Sequence, residues 1–509
     1  MPPELNFDGL KLGIVGCGVM GRGIAQIAAA AGTQVRLFDT RAGAAREAVA
    51  ELRKTFDMLA GKGKMEAGAS QAAMDRVQAC EAMAELDDSQ VVVEAIVENL
   101  DVKKALFARL EAIVPEDCVL ATNTSSLSVT EIAAGLKWPQ RLGGFHFFNP
   151  VPLMKLVEVI AGLRTDPAVV DFLHALGSHW GHVAVRAKDT PGFIVNHAGR
   201  AYSTEGMRIL GETVSDIPTL DLVLRECAGF RLGPCELMDL TGVDVSHPVM
   251  ESIFHQYYED PRYKPQPLTR SMLNAGLLGR KTGQGFYQYD AQGKRAPDSG
   301  AGAQSEARMP DSVWISRARP ELEARLRSRL ASAGVQLESG ERPSETALIL
   351  VTPLGEDASD CVAREGLDGR RTLAVDVLFN RSRTLLMRTP ATSAHTVAAG
   401  LGLFSALGSV SVVNDSIGLI CQRVVALIVN VASEIAQQGI AAPADIDRAV
   451  QLGLGYPQGP LAWGDSLGPA TVLEMLGNLE RLNGDGRYRP SHWLRRRALL
   501  GMSLLESGV

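Results

Sequence analysis

The hydrophobic positions along the chain change period several times, and those changes divide it. KLGIVG, residues 11–16, is a short apolar run ending in glycine, and VMGRGIAQIAAAAG then carries the spacing of an alanine-rich helix closed by Gly32. TQVRLFD, residues 33–39, is a second strand-length run, and the three together make a β-α-β unit. Further runs of strand length follow: QVVVEAIVE (90–98), CVLATNT (118–124), RLGGFHFF (141–148), KLVEVIAG (155–162) and HVAVRAKD (182–189). With helical patterns between several of them, they predict a doubly wound, mostly parallel α/β domain over 8–189.

After Asp189 the texture changes. From PGFIVNHAGRAYSTEGMRIL to LTRSMLNAGLLG the spacing is helical with almost no strand-like run, which predicts an all-α domain over 190–290. Residues 291–310, rich in Gly, Ala, Pro and Ser and without periodicity, read as a linker. A helix, RPELEARLRSRLASAG, and the runs ALILVTP, RTLAVDVLF, RTLLMRT and SVSVVND then predict a smaller α/β domain over 311–413, with no glycine-rich phosphate loop.

Helical spacing returns over 414–509, and a repeat comes with it. Asp189, Gly192, Asp221, Gly229, Gly233, Pro234, Asp239 and Gly242 recur 226 positions on as Asp415, Gly418, Asp447, Gly455, Gly459, Pro460, Asp465 and Gly468. Several of these are turn formers, and RYKP (262–265) and RYRP (487–490) continue the match. The helical domain is duplicated.

Composition narrows the class of function. With 46% hydrophobic and 21% charged residues the chain is globular, and a net charge of −7 gives no electrostatic case for a nucleic-acid partner. The seven cysteines, at 17, 80, 118, 227, 235, 361 and 421, form no CxxC pair and no metal-ligand spacing. They read as reduced, buried thiols of a cytoplasmic protein, and no metal is expected. MPPELNFDGLK lacks the pattern of a secretory signal. No apolar run approaches the ~18 residues of a membrane span, and RVVALIVNVASEIA is broken by Asn430, Ser433 and Glu434.

Gly16-Cys17-Gly18-Val19-Met20-Gly21 is a GxGxxG that follows a strand and opens a helix, and Asp39 ends the next strand. The first glycine permits the tight turn, the second a close approach of backbone to a pyrophosphate, and the third close helix–strand packing. The helix start then offers unpaired N–H groups and a positive dipole end to the phosphates. Asp39 suits ribose hydroxyls and repels a 2′-phosphate, which favours NAD over NADP; Arg41 is the one nearby residue that leaves NADP open. Oxidation of an alcohol also needs a base for the hydroxyl proton, and histidine suits that task near neutral pH. His146 lies near the end of a late strand, and Glu158, on the following strand, is within reach of its far ring nitrogen.

In order along the chain, GIVGCGVMGRGIAQ, EAIVEN, ATNTSSL, FHFFNPVPLMKLVEVI, KDTPGFIVN and RKTGQGFYQY resemble the 3-hydroxyacyl-CoA dehydrogenase family over residues 8–290. The resemblance implies an NAD-binding Rossmann domain followed by a helical domain that also mediates dimerisation. It implies His146 as general base, Glu158 as the residue that orients and polarises it, and Ser125 and Asn196 as hydrogen-bond partners of the substrate oxygen. Glu98, Lys103, Ser125 and Asn149 match positions near the nicotinamide and its ribose, and Lys281 matches a position near the cofactor. Lys62 and Lys64 sit where the family meets the CoA phosphates, with Lys54 a third candidate; contact with phosphate and plain solvation are both open for these lysines.

The reading is therefore an NAD-dependent oxidoreductase acting on an acyl-CoA, of fatty-acid or phenylacetate-type catabolism. Beginning directly at the nucleotide-binding strand, the chain is expected to be monofunctional. Two alternatives stay open: a 3-hydroxyacid dehydrogenase acting on a free acid, and a non-catalytic NAD-binding protein. In the duplicate, Asn196 corresponds to Gln422, and no GxGxxG, NTSSL or His–Glu pair follows residue 310, so the second half is expected to be non-catalytic. Its helical copy either replaces a homodimer partner, as a pseudo-dimer, or adds to a homodimer.

Overall fold

The computed structural model describes Phe7, residues 9–296 and residues 307–507. The middle of the expected linker, 297–306, lies outside the described residues. The backbone divides into two compact units: one runs to His197 and also takes in Gln438–Leu454, the other comprises Ala198–Gln437 and the chain from Gly455 onward.

The first unit holds an eight-stranded sheet of β1 (Lys11–Val15), β2 (Gln34–Phe38), β3 (Val77–Ala79), β4 (Val91–Glu94), β5 (Val119–Thr122), β6 (Leu142–Phe147), β7 (Leu156–Ala161) and β8 (Val183–Lys188). Their order is β3-β2-β1-β4-β5-β6-β7-β8. All neighbours are parallel except β6 and β7. The connection 148–155 is too short for the crossover a parallel pair needs, so these two strands run antiparallel. Strands β4 and β5 are buried on both faces, which is why they read as unbroken apolar runs. Against the sheet packs α1 (Val19–Ala30), whose small residues let it come close: a Cβ on Gly23 would stand 2.8 Å from Val151 Cβ.

The second unit carries a six-stranded sheet of β9 (Ser312–Ile315), β10 (Gln336–Leu337), β11 (Leu348–Val351), β12 (Thr372–Val375), β13 (Arg383–Arg388) and β14 (Ser409–Asn414). The order is β10-β9-β11-β12-β13-β14, with β12 and β13 the one antiparallel pair. Short β9 and β10, like β3, are not visible in the sequence pattern. Strands β11 to β14 repeat β5 to β8 in order and direction, so the duplication reaches back from the helical domain into this sheet. A local detail agrees: Asp189 accepts from the Val129 and Thr130 amides at a helix start, and Asp415 does the same for Ala358 and Ser359.

The register shows which residues of the second sheet stand at the places of His146 and Glu158. Val183 pairs with Leu156, and its counterpart Ser409 pairs with Arg383, which sets Leu385 at the place of Glu158. Across from it, Asp376, whose amide donates to the Leu385 carbonyl, stands at the place of His146. Asp376 is completely buried; its Oδ1 accepts from the Leu378 and Phe379 amides, and burial pushes the carboxyl up to about 7 despite them. The folded state thus holds a proton that the unfolded chain releases near pH 4, so this group's contribution falls as pH rises from about 4 to 7. Asp376→Asn is expected to raise the melting temperature at about pH 8.5, with a gain that shrinks at about pH 5.5. A gain independent of pH in thermal melts would defeat this account.

The helical copies exchange contacts. Lys188 at the end of β8 donates its amide to the Ile440 carbonyl, and Asn414 at the end of β14 donates to Val214, both at 2.9 Å. The two bonds are the same contact displaced by the repeat of 226 positions. Within the second unit Glu205, fully buried, ties the copies together: it accepts from Arg423 at 2.9 Å, Tyr488 at 2.7 Å and Arg487 at 2.7 Å. Helix Ile420–Gln437 has the length and apolarity of a membrane span, with mean hydropathy 1.3, but 89% of it is buried inside the fold and it serves as the core of this unit.

Candidate active site

Strand order reverses between β1 and β4, and ligands of doubly wound sheets bind beyond the carboxyl ends of the strands at such a point. The Gly16–Gly21 turn sits there. Gly16 adopts φ +106° and a side chain on it would collide with the Ala95 carbonyl, while a Cβ on Gly21 would collide with the Gly16 carbonyl. A Cβ on Gly18, by contrast, would meet no atom of the protein. No side chain caps α1, which leaves the amides around Val19 and Met20 for an anion. Asp39 accepts from the Cys17 amide at 2.8 Å and the Arg41 amide at 2.9 Å, so it is fixed against the turn. Arg41 itself pairs with Glu47. Beside Asp39 lies a cavity of about 450 Å³ walled by Ile96, Val102 and Arg109, wide enough for an adenine ring. These residues fit a dinucleotide.

Farther along the same sheet edge, the antiparallel register places His146 of β6 directly opposite Glu158 of β7. His146 Nδ1 and Glu158 Oε2 are 2.7 Å apart, and both residues are buried. The other carboxylate oxygen accepts from the Ile194 amide at 3.0 Å and the Val195 amide at 2.9 Å. Glu158 is therefore held on three sides, and with the carboxylate at Nδ1 the Nε2 atom is the ring nitrogen it leaves unengaged. The rings of Phe148 and Phe193 flank the imidazole.

Half-buried Ser125 and Asn196 are also brought together, the Asn196 side-chain amide donating to the Ser125 carbonyl at 3.2 Å. Glu98 gathers the Ser125 loop through the Thr124 hydroxyl and the amides of Ser125 and Ser126. Burial pushes the Glu98 carboxyl up, but Lys103 and these donors outweigh it and hold it below the ordinary carboxylate value. Lys103 is only 1% exposed, and its ammonium lies 2.5 Å from Glu94 and 3.3 Å from Glu98. Its charge is thus shared between the two carboxylates.

Asn149 is exposed in the turn after β6, joined to Pro150 by a cis peptide. Lys62 and Lys64 are exposed beyond helix Ala44–Gly61, and Lys54 pairs with Glu51. Lys281 belongs to the second unit, where it pairs with Asp244 at 2.6 Å.

Several contributors escape the sequence reading. Glu94, which accepts from Thr122 and Ile96 as well as Lys103, had one signal: a lone carboxylate closing the apolar run VVVE. Asn123, which holds the Phe147 amide at 2.8 Å beside the end of β6, had none beyond its place in ATNTSSL. The backbone amides that lock Glu158 leave no trace in residue type.

A glycine turn with uncapped amides, an acid fixed against it and a buried histidine–carboxylate pair have the chemistry of an NAD-dependent dehydrogenase. The chain matches the NAD-binding domain of 3-hydroxyacyl-CoA dehydrogenase over residues 11–190 and its C-terminal domain twice, over 192–289 and 418–507. It is 36% identical to the 3-hydroxyadipyl-CoA dehydrogenase of Escherichia coli K12 over 96% of this chain and 97% of that one. A crystal structure of a 3-hydroxybutyryl-CoA dehydrogenase from the same organism superimposes with a TM-score of 0.85 at 35% identity, covering 97% of this chain and 99% of that one. The 3-hydroxybutyryl-CoA dehydrogenase of Clostridioides difficile, 37% identical, matches over all its length and 55% of this chain. The chain belongs to the 3-hydroxyacyl-CoA dehydrogenase family: it is an NAD-dependent oxidoreductase that acts on the hydroxyl of an acyl-CoA.

Proposed function

We propose that the enzyme oxidises a (3S)-3-hydroxyacyl-CoA reversibly to the 3-oxoacyl-CoA, with His146 as general base and Glu158 as its orienting acid. The supporting observation is the 2.7 Å contact between His146 and Glu158, whose second oxygen is held by two backbone amides. The hydroxyl proton passes to His146 Nε2, and the imidazolium so formed is stabilised by the adjacent carboxylate. When bound, NAD supplies the acceptor for the hydride leaving the carbinol carbon. Ser125 and Asn196 hold the substrate oxygen as its charge changes. Gly16, Gly18, Gly21 and the amides of Val19 and Met20 receive the pyrophosphate, Asp39 the ribose, and Lys62 and Lys64 the CoA phosphates. Asn149 borders the nicotinamide, and Glu98, held by Lys103, supports it.

Similarity along nearly the whole chain to a 3-hydroxyadipyl-CoA dehydrogenase supports an acyl group that is short or ends in a carboxylate, and a place in phenylacetate-type or fatty-acid catabolism. Seven free, buried cysteines suit a reducing cytoplasm. The experiment is reduction of acetoacetyl-CoA and 3-oxoadipyl-CoA by NADH, followed at the NADH absorbance band. Turnover is expected with both, with the larger kcat/KM for the preferred acyl end; turnover with neither would sink the proposal.

A further inference from the structure

The second copy has lost the histidine, the glutamate and the glycine turn, yet it keeps a cavity. About 420 Å³ in volume, it opens where the chain leaves β12, the strand that repeats β6, and its walls include Phe379, Asn380, Arg381, Arg325, Gln458 and Trp463. All belong to the second unit. In the first copy the chain after β6 reads FNPVP; after β12 it reads FNRS, so Arg381 follows the asparagine where the first copy has a proline.

Charge makes the cavity selective. The chain is acidic overall, with a net charge of −7, but no Asp or Glu lines this hollow while two arginines do. Several arginines of the unit are taken up in ion pairs, among them Arg319, Arg364, Arg383, Arg423 and Arg487. Among the described residues Arg325 and Arg381 have no such partner. Arg381 is not simply waving in solvent: its guanidinium lies over Gly229, at φ +91°, where any side chain would collide with it. Asn380 and Gln458 add amide donors, and the Phe379 and Trp463 rings, 6.4 Å apart edge to face, add an apolar wall. Guanidinium pairs with amide donors match the oxygens of a phosphate or carboxylate, and a hollow of this size takes a small organic molecule.

We propose that this cavity is a second ligand site, for a small organic oxyanion bound through Arg325 and Arg381 with its body against Trp463. It is a binding site without catalytic groups, because Asp376 and Leu385 stand where the base and its acid would be.

The test is calorimetric titration of the full-length protein, saturated with NADH to fill the first unit's adenosine site, with AMP, adipate and inorganic phosphate as probes. One equivalent is expected to bind at or below roughly 1 mM, AMP and phosphate reporting a phosphate site and adipate a carboxylate site. The Arg325→Ala/Arg381→Ala double variant is expected to weaken that binding about tenfold or more, and Gln458→Glu to weaken it through charge alone. NADH affinity and unliganded melting temperature serve as controls for folding. No binding of any probe up to roughly 10 mM, or binding undiminished in both variants, would overturn the proposal.

Discussion

Replacing His146 with alanine is expected to lower turnover of acetoacetyl-CoA by a factor of about 10² to 10⁴, with NADH affinity unchanged. The size of the effect follows from how completely the pair is fixed. His146 is 4% exposed and Glu158 not at all, so water does not replace the imidazole cheaply. Glu158→Gln is expected to cost a comparable factor, because the amide no longer favours a proton on Nδ1 and offers no charge to the imidazolium. Steady-state kinetics alongside NADH fluorescence titration separate chemistry from cofactor binding. Wild-type turnover in His146→Ala would remove the histidine from the mechanism and leave the fold to explain itself otherwise.

Glu205→Ala is expected to lose stability by about 3–5 kcal/mol in urea unfolding. Removing the carboxylate leaves Arg423 and Arg487, each 1% exposed at the side chain, facing one another without their shared anion. Burial pushes the Glu205 carboxyl up, but the two arginines overcome it and hold it near 2. The sign is therefore that of a depressed acid: its contribution is complete above about pH 4.5 and drains away as pH falls toward 2. The residue 226 positions beyond Glu205 is Val431, and Arg262, the counterpart of Arg487, meets Glu434 instead, at 3.7 Å. A Glu205→Ala protein that unfolds at the wild-type midpoint would show that the copies are held by apolar packing alone.

Much of the first sheet was legible because its signals are local. A glycine turn between a strand and a helix is read within thirty residues, and buried parallel strands announce themselves as apolar runs. His146 and Glu158 were legible as candidates for the same reason, since neighbouring strands with a short connection must lie side by side. Nothing in the sequence revealed the amides of Ile194 and Val195 on Glu158, because backbone donors have no residue type, or the burial of Lys103 between Glu94 and Glu98, because residue type does not show which side chains turn inward. Helix Pro443–Leu454 illustrates the limit best: by sequence it belongs with the second helical copy, yet Gly453 lies against Leu156 and Val195 of the first unit. Its glycine allows that approach, but the partner is hundreds of residues away. The repeat in the second sheet was hidden for a different reason, since strand order and direction survived there while the side chains did not.

The bonds from residue 188 to the chain near 440 also set a clock. Lys188 reaches Gln438 across a separation of 250 residues. At ordinary synthesis rates that stretch takes on the order of 10–50 s to emerge. Through that interval the nucleotide-binding sheet has its turn, its histidine and its glutamate, but not the strap that finishes its edge. The histidine and the glutamate are thus made well before the strap, and in that window the edge at β8 presents backbone groups to chaperones or to a stray partner strand.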